Sequence, residues 1–174
     1  MVADVIEAAE EGFTPDETAA IIRSFIGLTS QQTRSVWNFY DDLIDQGIAD
    51  DVALTRAEMY ADAALGRRAE TIARTELISA TNAGQQALWD QAVDQGVLNQ
   101  RDMRKVWIVT DDDRLEEDCE ALADVEVGID EPFDTAEGAV MFPPLHPRCR
   151  CAIGLVNAST GAVEEVDESD DDDE

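Results

Sequence analysis

All the soft metal donors of the chain lie between residues 119 and 151: Cys119, His146, Cys149 and Cys151, the last three in the spacing His-x-x-Cys-x-Cys. Three thiolates and an imidazole are the donor set of a closed tetrahedral zinc site. The 26 residues between Cys119 and His146 mean that one ion would tie two separate loops together. A structural metal suits this region, which is poor in large apolar residues and has a long irregular connection to order. The residues alone leave two other states open. One is a reduced, metal-free loop in which the thiols simply pack. The other is a disulfide from Cys119 to Cys149 or Cys151; a Cys149–Cys151 bridge is disfavoured, because a single intervening residue gives poor geometry.

Other chemistry finds little support. A zinc deaminase needs a glutamate two residues after its first ligand and a Pro-Cys-x-x-Cys run, whereas His146 is followed by Pro147 and Arg148. A full Cys3His set also leaves no open coordination position for a catalytic water. No P-loop or Gly-x-Ser-x-Gly motif occurs, and there is no second histidine for a triad. The expectation is a protein without enzymatic activity. A zinc knuckle would present basic and aromatic residues, but Arg148 and Arg150 stand in an acidic field. Asp111, Asp112 and Asp113 read as a solvated turn that caps a helix over 114–122, rather than as a cation site.

Charge sharpens this. The chain has 174 residues, with 40 acidic and 12 basic side chains and a formal net charge of −28. Lys105 is the only lysine among those basic residues. Residues 164–174 hold nine carboxylates, which leaves 31 acidic against 12 basic in the remainder, or −19. Without a basic stripe, direct nucleic-acid binding is not expected. Such a body repels itself in dilute buffer, and near 1 M salt the Debye length of about 3 Å removes most of the penalty. The balance points to a halophilic protein from a salt-in cytoplasm, that of a haloarchaeon or its virus; an ordinary acidic protein is the alternative. The start of the chain has neither a basic nor an apolar leader region, so no secretory signal is expected. No apolar run of 18 residues is present, so no membrane span is expected either. An odd cysteine count points to a reducing compartment.

The elements that must position the donors emerge from periodicity. A short helix is expected within 1–12. Thr14, Pro15 and Glu17 make a capping box that opens a helix through Ala19, Ile22 and Ile26, with Gly27 as its stop. A second helix starts at Ser30 or Gln31 and ends at Gly47, with Val36, Tyr40 and Leu43 on one face. Trp37, Phe39 and Tyr40 read as core aromatics. Thr55 and Glu58 form another capping box, opening a helix through Met59, Tyr60 and Leu65. Gly66 bends or breaks that helix before another over 67–95. There Ala69, Ala73, Leu77, Ala80, Gly84 and Leu88 form a narrow seam of mostly small residues, open to close helix approach. Residues 105–110 are the best strand, 123–140 are loop, and 152–156 form a second strand able to pair with the first. Beyond 158 lies an acidic tail expected to be disordered. The fold class is α+β, mostly helical, in four parts: an N-terminal helical region (1–54), a long helical segment (55–96), a small metal-clipped α/β domain (97–157) and the tail (158–174).

Two blocks carry a family resemblance. Trp107, Asp112, Asp113 and Arg114, then Cys119, then Pro-Pro-Leu-His-Pro-Arg-Cys-Arg-Cys over 143–151, resemble the C-terminal domain of tailed-phage minor head proteins, the head-morphogenesis family. The run Arg-Ala-Glu-Thr-Ile-Ala-Arg-Thr-Glu over 68–76, with Asn82, Gly84 and Trp89, is similar to the helix preceding that domain. Together they span roughly residues 55–155. The resemblance implies a virion component in the capsid interior or near the portal vertex, with the portal and major capsid proteins as partners. It marks Arg74, Glu76, Asn82, Trp107, Asp113 and Arg114 as motif positions of unassigned role. Many relatives carry Cys-x-x-Cys after the Asp-Arg pair; here its first position is Glu116, which becomes an alternative to His146 as fourth ligand. Many also have a longer N-terminal region. A zinc-clipped interaction adaptor unrelated to virions is the other function class. For the tail, solubilisation is one reading; mimicry of DNA charge inside a shell, or docking on a basic patch, is the other.

Overall fold

A computed structural model describes residues 12–158. The helix expected within 1–12 and the acidic tail lie almost entirely outside that range. Helix α1 is Pro15–Arg23. Its capping box forms as expected: Glu17 N–H donates to Thr14 Oγ1 at 3.3 Å, and Thr14 N–H donates to the Glu17 carboxylate at 2.8 Å. These bonds hold the Glu17 carboxyl below its ordinary range, the Thr14 backbone N–H being the larger cause. The helix ends at Arg23, before Gly27. Helix α2, Ser30–Asp45, has its own capping box from Thr29 and Gln32, and ends ahead of Gly47, whose φ of 79° places it in the left-handed region.

Helix α3 corrects the expected break. It runs unbroken over Asp50–Asp94, 45 residues. It starts five residues before Thr55, so Thr55 caps nothing; its hydroxyl donates to the Asp51 carbonyl at 2.9 Å, inside the helix. Gly66 is helical. One glycine costs an interior position only about 1 kcal/mol relative to alanine, which the turns on either side absorb.

The described residues divide into two compact units that share this helix. The described residues of the first are 12–84 and 143–152. Within it Ile22 packs with Ala69 and Ala73, flanked by Ala19, Ile26 and Ile72. The small-residue seam thus works as expected in its first half. Gly84 and Leu88, at its far end, are exposed. Phe39 stacks on Tyr60 at 5.1 Å between ring centroids, but Trp37 is 61% exposed and is not the core residue its type suggested.

The described residues of the second unit are 85–142 and 153–158. Its sheet has the order β2-β1-β5, from Glu126–Gly128, Met103–Ile108 and Ala152–Asn157, with β1 and β2 antiparallel and Lys105 opposite Val127. The expected pairing of the two longest strands is present. A Cβ on Gly154 would come within 2.8 Å of Ile108 Cδ1 and 3.1 Å of Val106 Cγ1, so this glycine lets β5 sit close to β1. The stretch 123–140 is less irregular than expected. It supplies β2 and a hairpin of β3, Phe133–Thr135, and β4, Gly138–Val140. The expected helix over 114–122 is only α4, Glu117–Glu120.

Candidate metal centre

Cys119 lies in α4, a single turn whose N-cap Glu116 makes no side-chain capping bond. Asp112 shapes the preceding turn: Arg114 N–H donates to its carboxylate at 2.9 Å, and the Arg114 guanidinium pairs with it at 3.2 Å. Asp112 therefore closes a turn instead of capping the helix, and Asp113 is exposed.

His146, Cys149 and Cys151 sit on an irregular segment just before β5. Within the first unit this segment is fastened to α3 through Arg148, whose backbone has the left-handed φ of 64°. A non-glycine residue there is uncommon, and three bonds hold it. Arg148 N–H donates to Thr75 Oγ1 at 3.0 Å, its Nε donates to Thr71 Oγ1 at 2.9 Å, and its guanidinium pairs with Glu70 at 3.5 Å. Glu70 also takes Arg74 Nε at 3.0 Å, the i,i+4 pair expected from spacing. Asn82 completes the fastening: it is 3% exposed and donates to the Cys151 carbonyl at 3.3 Å and the Ile78 carbonyl at 2.9 Å. The motif positions on this helix thus separate. Asn82 is buried and bonded; Arg74 and Glu76 face solvent.

Cys119, in the second unit, and His146 and Cys149, in the first, form a group of donor types that could hold a metal ion. Cys119 and Cys149 are each 1% exposed, and His146 is half-buried. The fit is chemical: two thiols and an imidazole are zinc donors, and both thiols are buried. With its proton on Nδ1, His146 donates to the Pro147 carbonyl at 3.0 Å, which leaves Nε2 as the lone-pair donor in the usual second-sphere arrangement. The group does not include Cys151 or Glu116. Cys151 is 2% exposed, and Glu116 is exposed. None of the three cysteines is in a disulfide.

A second polar centre, in the second unit, was not foreseen. Lys105 is fully buried, with Nζ donating to Gln86 Oε1 at 3.2 Å and to the Met141 carbonyl at 2.9 Å, 5.4 Å from the centre of the Phe133 ring. Gln86 Nε2 donates in turn to the Ile129 carbonyl and to Asp90, both at 2.9 Å. Burial pushes the Lys105 ammonium below its ordinary pKa, and the charges of Asp90 and Asp130 oppose that shift. Trp107, also fully buried, meets Phe133 edge to face at 5.1 Å. The signal was in the sequence: Lys105 and Trp107 are two apart on the best strand, hence on one face, and a lone lysine beside eleven arginines is itself unusual.

The family model described as phage Mu protein F like protein matches residues 4–154. The chain belongs to that family. It is a phage head morphogenesis family, and the match extends well to the N-terminal side of residues 55–155, which carried the resemblance. No curated protein and no solved structure matches the chain. In this family member parts of the two blocks, 68–84 and 143–151, fall in the first unit, where Glu70, Thr71, Thr75 and Asn82 hold the segment bearing His146 and Cys149. No helix among the described residues is long and apolar enough to cross a membrane.

Proposed function

We propose that this chain is a minor capsid protein of a tailed virus, a non-enzymatic component of head assembly that associates with the portal and major capsid proteins at the capsid interior or portal vertex. The observation that carries this reading is the family match over residues 4–154. The thiol and imidazole group supports a structural zinc held by Cys119, His146 and Cys149. Cys151 is the proposed fourth ligand, being buried and two residues from Cys149; Glu116, exposed at the start of α4, is the alternative. Zinc would act here by holding segments distant in sequence, a role that requires a filled coordination sphere and no reactive water. The net charge of −28 supports a halophilic source with a haloarchaeal virus or provirus as origin, and argues against direct contact with the packaged genome.

The test is quantitative mass spectrometry of purified virions and empty procapsids, counting this chain against portal. A fixed low ratio in either particle supports the minor capsid role, and the difference between them tells whether the protein stays. Absence from both particles sinks the reading and leaves an interaction adaptor built on the same domain.

A further inference from the structure

In the first unit, α2 and the N-terminal part of α3 leave an apolar groove of about 330 Å3. Trp37, Tyr40, Leu54 and Ala57 line it, with the carboxylates of Asp50 and Glu58 at its margin. Trp37 is 61% exposed and Leu54 52%. These are large apolar side chains for a helix pair to leave in water, and such patches mark interaction sites. The surrounding charge has one sign. Residues 30–62 carry seven carboxylates against Arg34 and Arg56, and among the described residues no cation lines the groove.

We propose that this groove is the docking site for an amphipathic helix of another polypeptide, one with an apolar stripe flanked by Lys and Arg. The apolar stripe matches the groove, which has the helix-in-groove form of recognition with anchors at i, i+3 or i+4, and i+7. The basic flanks are set by charge: they would meet Asp50, Glu58 and their neighbours, whereas acidic flanks would face like charges. A second copy of this chain is disfavoured as occupant, because it brings the same carboxylates. The inference extends the head-assembly reading by giving the chemistry of a partner; it is tested on the isolated protein, so its failure is separate from absence of the chain from virions.

Trp37 supplies the probe, since Trp89 and Trp107 are 6% and 0% exposed. The full chain is titrated with a synthetic helix-forming peptide carrying leucines at i, i+3, i+4 and i+7 and lysines on both flanks, then with the same peptide bearing glutamates instead. Salt is set at the lowest concentration that keeps the helical circular dichroism. The lysine peptide is expected to shift Trp37 emission to the blue, to protect it from acrylamide, and to bind on the order of tenfold tighter than the glutamate peptide. Leu54→Asp, at an exposed helix position, should abolish the shift with the helical signal intact. Leu88→Asp, on an exposed surface of the other unit, should leave it unchanged; Trp37→Ala should weaken binding read by calorimetry. No Trp37 response to the lysine peptide overturns the proposal, as does equal binding of both peptides or equal loss with Leu54→Asp and Leu88→Asp.

Discussion

Two side chains carry the sharpest tests at the residue scale. If Cys119 and Cys149 hold zinc, Cys149→Ser purified in parallel with the native chain should fall from about one zinc per chain to none in elemental analysis, because a neutral hydroxyl does not replace a thiolate. Its melting temperature should also fall, since metal binding and folding are linked; unchanged zinc content would remove Cys149 from the site. Lys105 is independent of that centre. Lys105→Met leaves Gln86 Oε1 and the Met141 carbonyl without their donor, a cost of about 1–3 kcal/mol for unmet buried groups. The folded pKa of Lys105 lies below its ordinary value, so between the two the unfolded chain binds more protons, and stability gains with rising pH. The stability gap between the native chain and Lys105→Met, measured in urea, should therefore widen as pH rises through the folded pKa towards 10.5. A gap that narrows over that range would contradict a buried ammonium.

Helices and strands here are held by small features at their ends and seams. Ala73 is fully buried against Ile22, where a longer side chain would force the helices apart. Ala73→Leu should destabilise the chain by about 1–3 kcal/mol, the usual cost of overpacking, read as a lower denaturant midpoint. Thr14→Ala removes one side of a formed capping box and should cost about 1 kcal/mol, whereas Thr55→Ala should cost only a few tenths. That contrast arises from where α3 begins. Two similar capping sequences stand in the chain, and only at Thr14 does the backbone leave the helix; at Thr55 favourable helix residues on both sides let α3 run through. The local pattern was legible and its use was not, because a capping box only competes with continuing the helix.

Charge belongs to the molecule as a whole. Self-repulsion at −28 should weaken the fold in dilute buffer, and raising KCl from about 0.1 M to about 1 M shortens the screening length from about 10 Å to about 3 Å. The melting temperature is expected to rise steeply across that range if the protein is adapted to molar salt. A melting temperature independent of KCl would remove the halophilic reading and leave an ordinary acidic protein. Removing residues 164–174, with their nine carboxylates, separates tail from body: a salt dependence that survives the truncation lies in the folded residues.

Composition, helix caps and donor chemistry are local properties, and they were readable from the chain itself. They include the helical class, the starts of α1 and α2, the pairing of the two longest strands, and Cys119, His146 and Cys149 as candidate ligands. What a long-range contact decides was not readable. Arg148 anchoring on Thr71 and Thr75, Asn82 reaching the Cys151 carbonyl, Lys105 turned inward and Trp37 turned outward all depend on which surface another segment covers. A lysine and a tryptophan each have an apolar stem and a polar end, so type alone permits either side of the surface. Only the folded chain, by supplying Gln86 and the Met141 carbonyl for one and, among the described residues, leaving the other largely uncovered, chose between them.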